Sequence, residues 1–98
     1  MSRAVMVRYQ TRVDAAEANH GMVEQVFAEL RSTNPDGLRY VTVRLEDGVT
    51  FVHLAIVDAA ENPLSRVAAF QAFQQGLGDR LVDPPTVHEV TVVGSYGY

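Results

Sequence analysis

The chain has no cysteine and no tryptophan. The first absence removes disulfides, thiol nucleophiles and thiolate metal sites, and it fits a reducing compartment. Cations are scarce as well. Eight Lys and Arg stand against 12 Asp and Glu, for a net charge of -4. That balance argues against a nucleic-acid or anionic-membrane partner. No apolar run approaches the length of a membrane span, and the opening MSRAVMVRYQ is too interrupted for a signal peptide. The expected setting is the cytoplasm. There is no repeat, linker or low-complexity stretch. There is no phosphate-cradling loop either, because Gly76-Leu77-Gly78 closes a helical pattern instead of opening one. A G-x-S-x-G nucleophile motif is missing. The three histidines lie on separate elements without H-x-H or H-x-x-x-H spacing, so no metal site is expected.

What remains is a chain of 98 residues, 47% hydrophobic, enough for one domain over 1–98 with a core of its own. Its organising stretch is YVTVRLEDGVTFVHLAIV, Tyr40 to Val57, two apolar runs about Asp47-Gly48. This is a strong hairpin signal. A two-residue turn sets Tyr40, Thr42 and Arg44 opposite Ala55, His53 and Phe51. The other face is then Val41, Val43 and Leu45 against Val52, Leu54 and Ile56. A three-residue turn, Glu46-Asp47-Gly48, would set Val43 against Phe51 and mix the faces. A one-residue slip flips a strand, so a buried face selects the register. The first alignment is preferred because it isolates an all-aliphatic face.

Alternation makes Ala4 to Arg12 a strand. Asp14 then opens a helix, with Glu17 at capping-box spacing. Its stripe is Val23, Val26, Phe27 and Leu30, extended backwards through Ala16, Asn19 and His20. Asn34-Pro35-Asp36-Gly37 ends it. After the hairpin, Asn62-Pro63 or Ser65 starts a second helix irregularly. That helix carries Val67, Phe70, Phe73 and Leu77 and ends at Gly76 and Gly78. Asp83-Pro84-Pro85 is a stiff connector, and Thr86 to Val93 is a last strand. The tail ends in Tyr96 and Tyr98, expected to hold a dimer or roof a pocket.

The order β-α-β-β-α-β is the ferredoxin-like α+β arrangement: a four-stranded antiparallel sheet with two helices on one face. The face expected under the helices is aliphatic: Val5, Val7, Val41, Val43, Leu45, Val52, Leu54, Ile56, Val90 and Val92. The opposite face would show Met6, Arg8, Gln10, Tyr40, Thr42, Arg44, Phe51, His53, Thr91 and Val93. Its apolar members would make a large exposed patch, so a homodimer is expected to bury it.

With this order and length, the chain resembles the antibiotic biosynthesis monooxygenase-like family of the dimeric α+β barrel superfamily. The closest local likeness is FVHLAIVDAAENPLSRVAAFQAF, Phe51 to Phe73, a strand, a loop and a helix ending in paired aromatics. The resemblance implies a dimer whose two sheets close into a barrel. Some members oxidise polyphenols with dioxygen and no cofactor, and others degrade haem. The haem-degrading members use an Asn, a Trp and a His. This chain has no Trp and no His on its second helix, and Arg8 or Tyr9 stands near the place of the strand-one Asn. Haem degradation is therefore not expected, and no cofactor is implied.

Three groups of side chains carry possible chemistry. His20 could act as a base on a phenol near Tyr9, with Asn19 holding the developing anion. Arg8, Tyr40, Thr42, Arg44 and His53 could bind a carboxylate or phenolate on the mixed sheet face. Gln74 and Gln71 could hydrogen-bond a ligand under the helices. The functions that fit are a cofactor-independent monooxygenase, a non-catalytic module for a small aromatic ligand, or an assembly module.

Overall fold

The structure is a computed structural model that describes residues 2–97. Strand β1 spans Arg3–Gln10, helix α1 Ala16–Thr33, β2 Leu38–Arg44, β3 Thr50–Val57, α2 Ala68–Arg80 and β4 Thr86–Val90. The four strands form one antiparallel sheet in the order β2-β3-β1-β4. This is the expected ferredoxin-like α+β arrangement, with both helices on one sheet face.

The hairpin register matches expectation: Tyr40, Thr42 and Arg44 face Ala55, His53 and Phe51. The turn that sets it is longer than two residues. Gly48 N–H donates to Leu45 at 3.0 Å, and Leu45 N–H donates to Thr50 at 2.8 Å. Gly48 takes φ +80, where glycine is unstrained. The Asp47 carboxylate accepts from the backbone of Val49 and Thr50 at 2.9 Å each, and from the Thr50 hydroxyl at 2.6 Å. The Thr50 hydroxyl, with those two N–H groups, holds the Asp47 carboxyl below its ordinary range.

The sheet faces are the main correction. In β1, Val5, Val7 and Tyr9 lie opposite Ala55, His53 and Phe51. The helices therefore cover Val5, Val7, Tyr9, Tyr40, Thr42, Arg44, Phe51 and His53. The aliphatic set Val41, Val43, Val52, Leu54 and Ile56 lies on the opposite, uncovered face with Met6 and Arg8. Val90 shares that uncovered face, being paired with Ala4. The reason is aromatic packing. Tyr9 stacks on Phe51 at 5.6 Å, Phe27 of α1 stacks on Tyr40 at 5.0 Å, and Phe73 of α2 meets His53 at 5.4 Å. Flat rings interdigitate between the layers, and their polar atoms find partners there.

Both helices depart from expectation at their ends. The capping box does not form: a short 3-10 turn, Val13–Ala15, precedes α1, whose N-cap Ala15 offers no side chain. Asp14 instead meets Arg12 at 3.2 Å, and Glu17 meets Arg44 at 2.7 Å. Charge-assisted partners outcompete the backbone N–H groups. The irregular start of α2 is present as a 3-10 turn over Pro63–Arg66, with Asn62 accepting from Leu64 N–H at 3.0 Å. The α2 N-cap, Val67, has no capping side chain, and Glu29 of α1 supplies one. Its two carboxylate oxygens accept from Ala68 and Ala69 N–H at 3.0 Å each. The helix then runs through Gly76 and Gly78 to Arg80 instead of stopping at them. Strand β4 ends at Val90, short of Val93. Tyr96 is fully exposed, and Tyr98 lies outside the described residues.

Candidate functional site

A cavity of about 300 Å³ lies between α2 and the sheet. Its floor is Val5, Val7, Tyr9, Tyr40, His53 and Ala55, and its roof is Phe70, Phe73, Gln74 and Leu77. Arg3 and Asn62 also line it. That volume lies at the small end of ligand pockets, and an apolar lining with a few convergent polar atoms is their usual composition.

The polar atoms of Tyr9, Tyr40 and His53 belong to one hydrogen-bonded line. Arg80 Nε donates to Asn19 Oδ1 at 2.9 Å. Asn19 Nδ2 donates to the Tyr9 hydroxyl at 3.0 Å. The Tyr9 hydroxyl is 2.7 Å from His53 Nε2. On the far side of the ring, Nδ1 lies 2.5 Å from the Tyr40 hydroxyl and 3.0 Å from that of Thr42. Asn19 is wholly buried and His53 nearly so. Every buried side-chain polar atom among the described residues has a partner, which is the condition for holding such groups in a core.

Burial sets the charge state of the line. It pushes the His53 imidazole down to about 4, so the ring is neutral at pH 7. It pushes the Tyr9 phenol up to about 12, against the opposing pull of the Asn19 hydrogen bond and the Arg80 charge. Tyr40 is raised further, again by burial. Arg80 is buried too, its guanidinium 5.3 Å over the Phe73 ring and its Nη2 donating to the Phe73 carbonyl at 3.0 Å. No carboxylate pairs with it among the described residues. Arginine stays protonated at any working pH, so a fixed positive charge sits behind Tyr9.

The residues singled out from sequence divide between two places. Tyr9, Tyr40, His53 and Gln74 line the cavity, and Asn19 stands behind Tyr9. His20 is elsewhere. Its half-exposed side chain lines a groove of about 320 Å³ between α1 and β2, with Arg44, Thr42 and Phe27. There Arg44 Nη1 meets His20 Nδ1 at 3.1 Å while Nη2 holds Glu17. The structure does not bring His20 and Asn19 to one place, because adjacent helical residues point about 100° apart. Arg8 is exposed on the uncovered face and reaches neither site. Gln71 donates to the Ser65 carbonyl at 2.8 Å outside the cavity. Arg80 was not anticipated. Its one sequence signal is Gly76, a full turn earlier, which leaves the space the guanidinium fills: a Cβ there would stand 2.7 Å from Nη1.

No known protein-family model matches the sequence, and no curated protein sequence matches it. Solved structures do share its fold. Rv0793 from Mycobacterium tuberculosis superposes with a TM-score of 0.74 at 21% identity, over 97% of this chain and 98% of that one. A candidate antibiotic biosynthesis monooxygenase from Nitrosomonas europaea gives 0.76 at 14% identity, over 98% and 94%. Another from Caulobacter crescentus gives 0.76 at 13%, over 95% and 91%. The whole chain therefore has the fold of structures carrying the antibiotic biosynthesis monooxygenase name, as its resemblance implied. None of the helices among the described residues is long and apolar enough to cross a membrane.

Proposed function

We propose that this chain is a homodimeric, cofactor-independent monooxygenase acting on a small hydroxylated aromatic or enolisable molecule held in the cavity between α2 and the sheet. The observation that carries the reading is the Tyr9–His53–Tyr40 line along the floor of an otherwise apolar cavity. The monooxygenase name borne by structures of this fold supports the reaction class.

In this reading His53, through Tyr40, takes the proton from the substrate hydroxyl. An isolated imidazole held at about 4 is a poor base. A substrate anion formed beside it changes that, because an opposite charge nearby favours the protonated ring. The anion then gives one electron to dioxygen. The radical pair joins by a C–O bond, and the resulting peroxide loses water to leave a quinone carbonyl. One dioxygen enters, one oxygen atom stays in the product and one leaves as water. The apolar walls keep bulk water from the radical pair. Asn19 and Arg80 take no part in the bond changes. They fix the orientation of Tyr9.

The dimer reading moves to the other sheet face. Met6, Val41, Val43, Val52, Leu54 and Ile56 form an aliphatic surface that no helix covers, with Val43 half exposed. A self-complementary apolar face suits a two-fold partner of the same chain.

Dioxygen uptake with a panel of hydroxylated aromatics tests the enzyme. His53→Ala and Tyr40→Phe should each lower the rate by about 10²-fold or more, the scale for a positioned proton-transfer group. His20→Ala should leave it near the parent value. Ligand binding without oxygen uptake for any substrate would leave a binding module.

A further inference from the structure

The groove between α1 and β2 backs the polar floor of the cavity residue by residue. Tyr9 stacks on Phe51 at 5.6 Å, Tyr40 stacks on Phe27 at 5.0 Å, and His53 Nδ1 meets the Thr42 hydroxyl at 3.0 Å. Phe51, Phe27 and Thr42 line the groove, while Tyr9, Tyr40 and His53 line the cavity. The two spaces share no lining residue among the described residues, yet these three contacts join their walls directly.

The groove has the composition of a ligand site in its own right. It holds about 320 Å³, and Val23, Phe27 and Phe51 give it an apolar wall. Its lining carries two arginines, Arg31 and Arg44, against one carboxylate, Glu24. Glu24 has a neighbour of its own, His20 Nε2 at 3.8 Å. Arg44 is held in place before any ligand arrives. Its Nε donates to the Gly48 carbonyl at 2.9 Å, Nη1 to His20 Nδ1 at 3.1 Å, and Nη2 to Glu17 at 2.7 Å. A guanidinium has five N–H groups, so two are left to give. Arg31, farther along α1, has no partner among the described residues.

We propose that the groove between α1 and β2 is a second ligand site, taking a small aromatic carboxylate, and that its occupancy is transmitted to the cavity through the Thr42–His53, Phe27–Tyr40 and Phe51–Tyr9 contacts. The carboxylate accepts from the two arginines, whose planar forks match its two oxygens. The ring lies on the apolar wall. A ligand that shifts Thr42 or Phe27 thereby shifts the hydroxyls and the imidazole that a cavity ligand would meet, and the coupling is reciprocal. The site stands on the groove alone; its effect on a cavity ligand rests on the cavity reading above.

The test is a titration of the full-length protein with benzoate, followed by NMR on backbone amides and on isotope-labelled histidine rings. Benzoate should move the amides of Val23, Glu24 and Phe27 saturably and the His53 ring resonances with them, while Phe73, Gln74 and Leu77 on α2 stay in place. Benzyl alcohol keeps the ring without the charge, and inorganic phosphate keeps charge without the ring. Each should bind about tenfold or more weakly than benzoate, and Arg44→Met should weaken benzoate by a similar factor. Arg31→Met serves if Arg44→Met does not fold, because Arg31 is exposed; it should weaken benzoate, and Arg31→Lys should restore most of the loss. Benzyl alcohol or phosphate binding as tightly as benzoate overturns the ligand class. Shifts that fall on α2 instead of α1, or no saturable shift at all, overturn the site. Benzoate bound along α1 with the His53 ring unmoved overturns the coupling. None of these outcomes depends on dioxygen uptake, so a failed monooxygenase reading is a separate result and leaves the groove as it stands.

Discussion

The space left empty by Gly76 is filled by the guanidinium of Arg80, one helical turn later; a Cβ at Gly76 would come within 2.7 Å of Nη1. A helical Gly→Ala change in an open position stabilises by about 0.5–1 kcal/mol. Gly78, where an added Cβ would meet nothing within 4 Å, should follow that rule. Gly76→Ala should go the other way by about 1–3 kcal/mol, since it pushes a packed side chain off Asn19. Urea unfolding of the two variants beside the parent reads both signs.

His53 makes stability depend on pH. Its ring is held at about 4 in the fold, against an ordinary 6.5. Between those values the unfolded chain binds the extra proton, so stability rises with pH across that window and is complete above it. About 3 kcal/mol is at stake, lost progressively as pH falls from 6.5 toward 4. Asp47 and Glu17 are depressed carboxylates, and their contributions fade at lower pH still. His53→Phe should flatten the upper part of the curve in denaturant melts at stepped pH. The same value bears on catalysis: kcat/KM should show no inflection near 6.5 from His53.

Charges placed on the two sheet faces should separate folding from association. Phe51 is buried between sheet and helices. Phe51→Asp should cost about 4 kcal/mol or more and unfold the protomer, because it buries an unpaired carboxylate. Val43→Asp should leave the protomer folded and weaken the dimer about tenfold or more. Sedimentation with circular dichroism distinguishes the two. A parent protein that sediments as a monomer at micromolar concentration would remove the dimer proposal.

Asn19→Leu removes two hydrogen bonds at a wholly buried position. It should cost about 2–4 kcal/mol, since Arg80 and Tyr9 each lose a partner away from water. Thermal melts give the magnitude, and a variant as stable as the parent would mean that water or another side chain replaces the amide.

The element order, the hairpin register and the irregular start of α2 were legible because each rests on local chemistry: alternation, a turn dipeptide, an Asn-Pro pair. The choice of buried face was not. Sorting residues by hydropathy sends Tyr40, Thr42, Arg44 and His53 outward and the valines inward. The register of β1 decides otherwise, since Tyr9 opposite Phe51 and Val7 opposite His53 bring the aromatic residues onto one face. Those polar groups sit on the covered face because they find partners across elements, and no single stretch of sequence reveals that. Arg80 was hidden for a related reason. A cation in the last turn of a helix reads as a partner for the helix dipole, not as a side chain folded back into the core.

Helix α2 borrows a fastening from α1 at each end. Glu29 holds its first two amides, and Asn19 holds Arg80 in its last turn. The two helices are thereby latched into one plate, and the lid of the cavity is that plate and not α2 alone. A ligand too wide for the Arg3 rim would have to wait for both helices to lift together. Hydrogen exchange should report it: Ala68 and Ala69 should open at the same rate as the middle of α1, and Glu29→Ala should let α2 open first.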